Sequence, residues 1–386
     1  METYRQPDNR NCKYRLMTTQ LPEPNFIERD ADKITQEWIS LYEEKTGKTL
    51  QPAQVERLLI DVGVYRENLL RIKIQEVAKS NLLSYAPIEV LEHLGELVGV
   101  TKLAGKYAKT TIRFETTDIL TSDVIIPKGT KIETEDGEYT FVTDEDCVIN
   151  AGYLFVEVSA TCNKYGIGAN DYQIGKVTNL LTPLNYIDNV YNTKITYGGA
   201  EEETVESLRE RIRLAPESYS NAGSKGAYRF HTLSAHQSIT DVEVISSEAG
   251  VVDVYPLTET GNPTPEMIQI VSDYLSSEKV RPLTDRVIVH APEKVDFTIV
   301  ATITPYLDAD LNSIQTLVND HLNEYKTELA SQLGKDIVPT QIIAILNSIY
   351  GVYKVDLISP AYQKLTKCQW ANLENFNITI GDRADE

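Results

Sequence analysis

Five histidines are the first residues to test for metal chemistry, because imidazole is a common zinc ligand. They are His93, His231, His236, His290 and His321. None of them forms the HExxH pattern or the i, i+4 pair that a zinc site on a helix uses. His231 and His236 are five residues apart, so on a helix they would diverge by about 140°. The sequence therefore predicts histidines at the surface or at the edge of a core, and no metal site.

Carboxylates are the second group with catalytic potential. The acidic cluster at residues 133–146 could supply the carboxylate pair of a glycosidase. A solvated surface is the favoured interpretation, because several of these residues surround a hairpin and carboxylates are seldom buried. Asp308 and Asp310 begin like a calcium loop, but Ser313 replaces the turn glycine and Asn319 replaces the bidentate glutamate. This segment is interpreted as the N-cap region of a helix.

Motifs for phosphate binding and nucleophilic catalysis are missing from the sequence. Gly166-Ile167-Gly168 lacks the third glycine of a dinucleotide fingerprint. Gly47-Lys48-Thr49 lacks the first glycine of a phosphate-binding loop, because Tyr42 stands five residues before Gly47, and no GxSxG elbow occurs. The four cysteines form no CxxC pair and lie beside no histidine; they are Cys12, Cys147, Cys162 and Cys368. We therefore predict no catalytic residues, no cofactor and no enzymatic activity. An enzyme whose carboxylates converge only in the folded chain stays open as an alternative.

The charge of the chain argues against nucleic acid as a partner. Its 386 residues include 57 Asp and Glu against 37 Lys and Arg, a formal net charge of −20, which would repel a phosphate backbone. No apolar run approaches the length of a membrane span, and the polar N-terminus lacks the apolar stretch of a signal peptide. The four cysteines lie far apart in the sequence, and this spacing does not indicate a disulfide framework. We expect folding in a reducing cytoplasm, without membrane insertion.

The elements that would position any site begin with an arm and a helical region. Residues 1–30 show neither helical nor strand periodicity and are predicted to form an extended N-terminal arm. Residues 31–109 are predicted to be helical and to form a bundle. The second helix would start near Pro52 and run for roughly 28 residues before Pro87 forces a break. It carries a long apolar stripe consisting of Val55, Leu58, Leu59, Val62, Tyr65, Leu69 and Ile72.

A change to two-residue periodicity predicts a β-rich domain at residues 110–197. Ile126-Pro127-Lys128-Gly129 has proline second and glycine fourth, as a type I turn prefers. Asp136-Gly137 predicts a hairpin turn that sets Ile132 opposite Phe141 on one face.

Two small α+β domains are predicted to follow, at residues 198–292 and 293–386. In the first, Glu201–Glu203 would lead a helix that ends with Arg209–Arg213, as the helix dipole favours. In the second, a helix would end with Gly351 just beyond its last turn. The predicted fold class is multidomain α+β, with an N-terminal helical bundle segment, a β-rich middle domain and two small α+β C-terminal domains.

Several segments resemble, in the same order, the baseplate J-like family. The longest is the helical stretch from Val64 to Ala78, which is followed by Leu82-Leu83-Ser84-Tyr85-Ala86. The later segments are Ile126 to Thr130, Gly166 to Asn170, Tyr197 to Ala200, Glu203 with Leu208 to Ile212, and Arg281 to Asp285. The resemblance covers about residues 55–292.

The resemblance implies a structural wedge subunit of the baseplate of a contractile phage tail, a bacteriocin or another injection machine. Its partners would be a second copy of the chain, a smaller wedge protein similar to phage tail protein I, the spike hub and baseplate proteins near the sheath. Two copies would enter each wedge, and six wedges would surround the hub. The wedge would be assembled in the bacterial cytoplasm and would rearrange when contraction is triggered.

We place the contacts of the helical bundle on Val55, Leu58, Leu59, Val62, Leu69 and Ile72, and ring contacts in the two C-terminal domains. The alternative for the stripe is an intramolecular core, since an isolated amphipathic helix must bury its apolar face somewhere. Periodicity does not separate the two. Two other functions stay open, a tail-tip enzyme that cleaves glycans and a generic protein-binding adaptor.

Overall fold

The computed structural model describes residues 22–219, 223–277, 280–282 and 284–384. The predicted N-terminal arm lies outside the described residues as far as position 21. The chain divides into two compact units, the first ending at Val90 and the second beginning at Leu91. In the described ranges, no helix combines the length and apolarity needed to cross a membrane.

The first unit is built on two helices, α1 (Ala31–Thr46) and α2 (Val55–Ser80). The carboxylate of Asp30 caps α1 by accepting hydrogen bonds from the backbone N–H groups of Asp32 and Lys33. The helix ends at Gly47, which adopts the left-handed conformation at φ 68°. Residues 22–30 form neither helix nor strand. The predicted start of α2 was wrong, because Pro52 lies in the turn that precedes the helix.

The core of this unit is small. Ile34 of α1 packs with Ile60 and Val64 of α2, and all three side chains are buried. A Cβ atom on Gly63 would lie 2.9 Å from the Trp38 ring, so glycine lets the indole lie directly on the α2 backbone.

The second unit begins within α3 (Ile88–Glu96), which follows Pro87, and continues into a β-rich module. Six of its strands form one sheet in the order β7-β3-β4-β6-β1-β8, and β2 and β5 form a separate pair. The strands are β1 (Tyr107–Glu115), β2 (Val124–Ile126), β3 (Lys131–Thr134), β4 (Thr140–Thr143), β5 (Cys147–Ile149), β6 (Phe155–Tyr165), β7 (Val177–Leu180) and β8 (Asn189–Asn192).

Two predicted turns can be compared with this sheet. The hairpin register is confirmed, because Ile132 pairs with Phe141 across β3 and β4. The turn before β3 begins one residue later than predicted, since the Thr130 N–H donates to the Pro127 carbonyl at 3.3 Å. Gly129 is therefore third in the turn, and its φ of +87° is typical of a type II turn.

A central module with a three-stranded sheet follows. Its strands lie in the order β11-β10-β9, and its core joins Val242, Val254, Val271 and Leu275 to the ring of Tyr228. The elements are α4 (Val205–Leu214), α5 (Lys225–Ala235), β9 (Ile239–Ile245), β10 (Val251–Thr258), α6 (Pro265–Leu275) and β11 (Arg286–Val289).

The C-terminal module has a sheet in the order β13-β12-β14, which packs against two helices. Asp310 caps α7 by accepting from the Asn312 N–H at 3.2 Å. The predicted helix end at Gly351 was wrong, because α8 ends at Asn347 with Ser348 as its C-cap. The elements are β12 (Glu293–Pro305), α7 (Leu311–Ala330), α8 (Pro339–Asn347), β13 (Val352–Ser359) and β14 (Gln369–Ile380). The multidomain α+β fold class is thus confirmed.

Candidate protein-interaction site

The apolar stripe of α2 is exposed to solvent. Val55, Leu58, Leu59 and Val62 each expose between 63% and 70% of their surface. Farther along the helix, Leu69 and Ile72 expose 44% and 41%. The small core between α1 and α2 uses other positions of α2, namely Ile60 and Val64. The described part of the chain therefore leaves this face of the helix uncovered.

The spacing of the exposed residues is that of a coiled coil. Their separations alternate between three and four residues, which corresponds to the a and d positions of successive heptads. The six positions, starting from an a position, are Val55, Leu58, Val62, Tyr65, Leu69 and Ile72. We call this set the α2 seam. Leu59 flanks the α2 seam at an e position, so the seam has the chemistry and geometry to receive another helix.

Gln75 ties another face of α2 to the segment that precedes α1. Its amide Nε2 donates to the Pro24 carbonyl at 2.6 Å, and its Oε1 accepts from the Phe26 N–H at 2.9 Å. Lys79, one turn later, forms an ion pair with Glu23 at 2.8 Å. Gln75 is fully buried. Sequence reasoning missed this residue, although a glutamine with basic residues four positions before and after it is an available signal.

Arg71 extends this row of polar contacts by one turn. Its guanidinium donates to the Glu28 carbonyl at 3.2 Å and pairs with Glu67 at 2.6 Å. The indole of Trp38 donates a hydrogen bond to the same carboxylate. The Trp38 hydrogen bond and then the Arg71 guanidinium lower the pKa of Glu67. The polar row orders the chain beside α2 but leaves the α2 seam free.

A buried ion pair joins two residues of the motif that starts the central module. The Arg211 guanidinium lies 2.7 Å from one carboxylate oxygen of Glu203 and 2.9 Å from the other. Their side chains are only 7% and 1% exposed. The predicted dipole role of Glu203 was wrong, because α4 starts at Val205 with Thr204 as its cap and Glu203 lies outside the helix.

The ion pair fastens the linker that leads from α3 to β1. The Glu203 carboxylate accepts from the Leu103 N–H at 2.9 Å, and Arg211 donates to the Thr101 carbonyl at 3.3 Å. The Gln237 side-chain amide donates to the Ala104 carbonyl, the next contact along the linker, at 2.6 Å. A buried charge pair favours one defined arrangement, since either partner alone would be an uncompensated charge. This linker therefore has a fixed path into the β-rich module.

One histidine departs from the prediction of surface or core-edge positions. His236 is 1% exposed; its Nδ1 lies 2.7 Å from the Ser238 hydroxyl and its Nε2 lies 3.4 Å from the Gly198 carbonyl. Burial, with a smaller contribution from the charge of Lys106, lowers the pKa of His236 to about 4. The ring is therefore neutral at pH 7 and serves as a structural hydrogen-bonding group.

The carboxylates of the acidic hairpin make local hydrogen bonds and ion pairs. Asp136 accepts from the hydroxyls of Thr134 and Tyr172, and the first of these contributes most to the lowering of its pKa. Glu135 forms an ion pair with Lys176. Within the residues that the structure describes, no three His, Cys, Asp or Glu side chains are grouped to hold a metal ion.

Comparisons with known families match most of the chain. Residues 55–108 match the baseplate J-like N-terminal domain, and residues 107–199 match the baseplate J-like barrel domain. Residues 220–291 match the baseplate J-like central domain, and residues 297–379 match the baseplate J-like C-terminal domain.

Two individual proteins are similar to the chain. Baseplate protein J of Escherichia phage P2 is 32% identical over 190 residues, which cover 46% of this chain and 62% of that protein. The match thus spans less than two thirds of the relative's length. A chain of the sixfold-symmetrised cryo-EM structure of the anti-feeding prophage baseplate is 14% identical, with 90% of each chain covered and a TM-score of 0.40. From the four matching domains, the chain belongs to the baseplate J-like family.

Proposed function

We propose that the chain is a structural component of the baseplate of a contractile tail, positioned in the wedge and without enzymatic activity. Membership of the baseplate J-like family and similarity to a protein named baseplate protein J support this proposal. The observation that carries the wedge role is the α2 seam, an apolar heptad face that the described chain leaves exposed. Such a face is stable only when another helix covers it.

The first partner that the α2 seam fits is a second copy of the same helix. Valine at a positions and Leu58 at a d position favour a parallel two-stranded arrangement. In that register, Asp61 at a g position would lie opposite Arg66 at the following e position of the second copy, which are opposite charges. Full burial of one apolar side chain contributes roughly 1.5–3 kcal/mol. The six positions of the α2 seam together therefore suffice for a stable contact.

The remaining contacts follow from the wedge proposal. A smaller protein similar to phage tail protein I would add a further helix to the bundle. The helical region at 31–109 would form the bundle. The ring contacts would lie in the α+β domains at 198–292 and 293–386, and the spike hub and sheath-proximal baseplate proteins would be further partners. Assembly would occur in the bacterial cytoplasm, and the wedge would rearrange when contraction is triggered.

The test places three lysines in the α2 seam region, as Leu58→Lys, Leu59→Lys and Val62→Lys. Producing cells that carry this variant should yield no assembled baseplates, because three charges cannot be buried in an apolar helix contact. The matched control is Leu70→Lys, Ile74→Lys and Val77→Lys, which adds the same charge to exposed apolar positions of the same helix, at 64%, 51% and 64% exposure. The control should assemble. Normal baseplates from the first variant would refute the bundle assignment.

Electron microscopy of native particles separates the wedge proposal from its rivals. A sixfold ring of this chain around the central spike supports the wedge. A chain that purifies as a free monomer with one small partner, and is missing from such a ring, would identify a generic adaptor. Release of soluble glycan fragments from cell walls by the purified chain would instead identify a tail-tip enzyme.

A further inference from the structure

One end of the β-rich module carries an exposed apolar surface. It lies on two segments, residues 117–126 and 144–157, which contain β2, β5 and the start of β6. Six apolar side chains of these segments each expose between 36% and 67% of their surface. We call this set the end patch; it consists of Ile119, Ile125, Val148, Tyr153, Leu154 and Phe155. A group of exposed apolar side chains with a polar rim is typical of a protein-interaction site.

Backbone contacts join the two segments of the end patch. Ile125 pairs with Val148 across β2 and β5, so their side chains lie on the same face of this strand pair. The Gly152 N–H donates to the Leu120 carbonyl at 3.0 Å. This bond draws the turn before β6 to the loop before β2, so the exposed side chains next to each bonded residue lie close together. The end patch is therefore one surface rather than a set of scattered residues.

Acidic side chains form the rim of the end patch. Its two segments contain six Asp and Glu residues and no Lys or Arg; the acids are Asp118, Asp123, Asp144, Glu145, Asp146 and Glu157. Asp118 and Glu145 are exposed, and no ion pair involves either of them within the residues that the structure describes. The rim therefore has negative charge available for a basic partner.

The guanidinium of Arg113 shows how this surface binds a cation. It lies over the Phe155 ring, 4.2 Å from the ring centroid, and forms an ion pair with Glu157 at 2.6 Å. Stacking on an aromatic ring and pairing with a carboxylate both stabilise an arginine side chain. Tyr153 and the free carboxylates of the rim offer the same two kinds of group. The end patch is therefore suited to a segment in which arginines alternate with apolar residues.

The segment of the chain whose composition matches this surface is residues 1–21, the part of the predicted arm that lies outside the described residues. Four basic side chains stand there against the acids Glu2 and Asp8, although the whole chain has a formal net charge of −20. The basic residues are Arg5, Arg10, Lys13 and Arg15, and the last two alternate with Tyr14 and Leu16. An extended segment of this length spans up to about 70 Å, so it can reach a neighbouring molecule.

We propose that residues 1–21 of one copy of this chain bind the end patch of a second copy. The arginines would pair with Asp118 and Glu145, and Tyr14 and Leu16 would cover the apolar side chains. The choice of a second copy rests on the pairing proposed for the α2 seam, which would bring two chains side by side. The contact itself lies on the β-rich module, so it can be tested apart from the α2 seam.

Photo-cross-linking of the full-length chain tests the proposal. Benzoylphenylalanine, a photoreactive amino acid, replaces Tyr14, and an equal mixture of isotopically labelled and unlabelled chains is irradiated. Mass spectrometry should place the cross-links from position 14 in residues 117–126 and 144–157, and should find pairs that join a labelled to an unlabelled chain. The absence of cross-links to these two segments would overturn the proposal, as would pairs formed only within one chain.

A second preparation, with the photoreactive residue in place of Leu59, reports on the α2 seam alone. Mixed pairs from position 59, without a cross-link from position 14 to the end patch, would reject the arm contact and leave the seam standing. Mixed pairs at the end patch, without any from position 59, would reject the seam and support the arm contact.

Charge reversal tests the acidic rim. Asp118→Lys combined with Glu145→Lys should lower the yield of the cross-link from position 14 to the end patch by roughly tenfold, because two attractive pairs become repulsive. The matched control is Glu133→Lys combined with Glu138→Lys, which reverses two acids of the hairpin at the far end of the same module. The control should change the yield by less than about twofold.

Polar substitution tests the apolar centre. Ile119→Ser combined with Tyr153→Ser should lower the same yield by roughly fivefold or more, because the apolar contact is lost. Both positions are exposed, at 66% and 67%, so the module should stay folded. The matched control is Ile174→Ser combined with Ile195→Ser, two exposed apolar residues of the module outside the end patch, at 60% and 39%. Yields that fall equally in the patch and control variants, or in neither, would overturn the proposal.

Discussion

Helices α2 and α7 have the same kind of sequence and opposite environments. Both are long, at 26 and 20 residues, and both carry a continuous apolar stripe. The stripe of α7 consists of Ile314, Val318, Leu322, Tyr325 and Leu329, which expose between 0% and 3% of their surface. The α2 seam exposes between 41% and 70%. Periodicity requires that each stripe be covered, but it does not say by what.

The difference lies in what the chain supplies next to each helix. The sheet of β12, β13 and β14 offers α7 an apolar face that includes Ile299 and Ile303. Among the described residues, the shorter α1 and the segment 22–30 pack against α2, and they occupy other faces of it. The stripe of α7 is thus covered from within the chain, whereas the described part of the chain leaves the α2 seam exposed.

The comparison is tested most strongly by truncating one leucine in each helix. Leu322→Ala should lower the free energy of unfolding of the C-terminal module by about 2–5 kcal/mol, because it leaves a cavity in a closed core. Leu58→Ala should change the stability of the isolated chain by less than about 0.5 kcal/mol, because the side chain is already in water.

The two tryptophans let the regions be followed separately in urea. Trp38 lies in α1 and Trp370 lies buried in β14. Trp38→Phe leaves the fluorescence of Trp370 to report on the C-terminal module, and Trp370→Phe leaves Trp38 to report on the helix pair. Equal losses for Leu322→Ala and Leu58→Ala would show that the α2 seam is covered within the chain.

A fall in pH should lower the free energy of unfolding of the second unit, which contains His236, but not that of the first. This effect is smaller than that of Leu322→Ala. Burial holds the pKa of His236 at about 4, below the ordinary value of 6.5, so the unfolded chain binds a proton first as pH falls. The stabilisation is complete above pH 6.5 and is lost as pH falls towards 4, by about 2–3 kcal/mol. The pKa of Glu67 in the helix pair is also lowered, but from 4.5, so its contribution is lost only below that pH.

The measurement is the urea midpoint of the central module at pH 7 and pH 4.5, compared between the parent and His236→Gln. Burial raises the pKa of Glu259, and this favours folding in acid and opposes the effect of His236. Both proteins contain Glu259, so the difference between them reports on the histidine alone. The parent should lose more stability than the variant. The Trp38 transition should stay constant over this pH range, and a parallel fall in it would contradict the assignment to His236.

Much of the fold follows from local sequence signals. Asp136-Gly137 sets the hairpin register, the Thr264 hydroxyl caps α6, and Asp310 caps α7. Each signal is local because the atoms involved are only a few residues apart. Boundaries were less predictable, since the position of Pro52 before α2 and of Gly351 after α8 depends on the packing of the turns.

The polar contacts that fix the modules were not predictable from local patterns. From the sequence, Glu203 and Arg211 were interpreted as charges placed to suit a helix dipole. Their burial depends on a linker about one hundred residues earlier, at Thr101 and Leu103, which no local pattern indicates. The membership of these two residues in the family motif was the one available hint. The exposure of the α2 seam was equally unpredictable from the sequence, since it depends on which parts of the folded chain pack against α2.

The smallest expected effect concerns the one covered polar position of α2. Gln75→Ala should loosen segment 22–30 by about 1–2 kcal/mol, because two backbone groups lose buried partners. Hydrogen exchange at the Phe26 amide should then quicken by roughly 5- to 30-fold, while Lys73→Ala, an exposed change on the same helix, should leave it unchanged. Unaltered exchange in Gln75→Ala would mean that contacts other than those of Gln75 hold the segment beside α2.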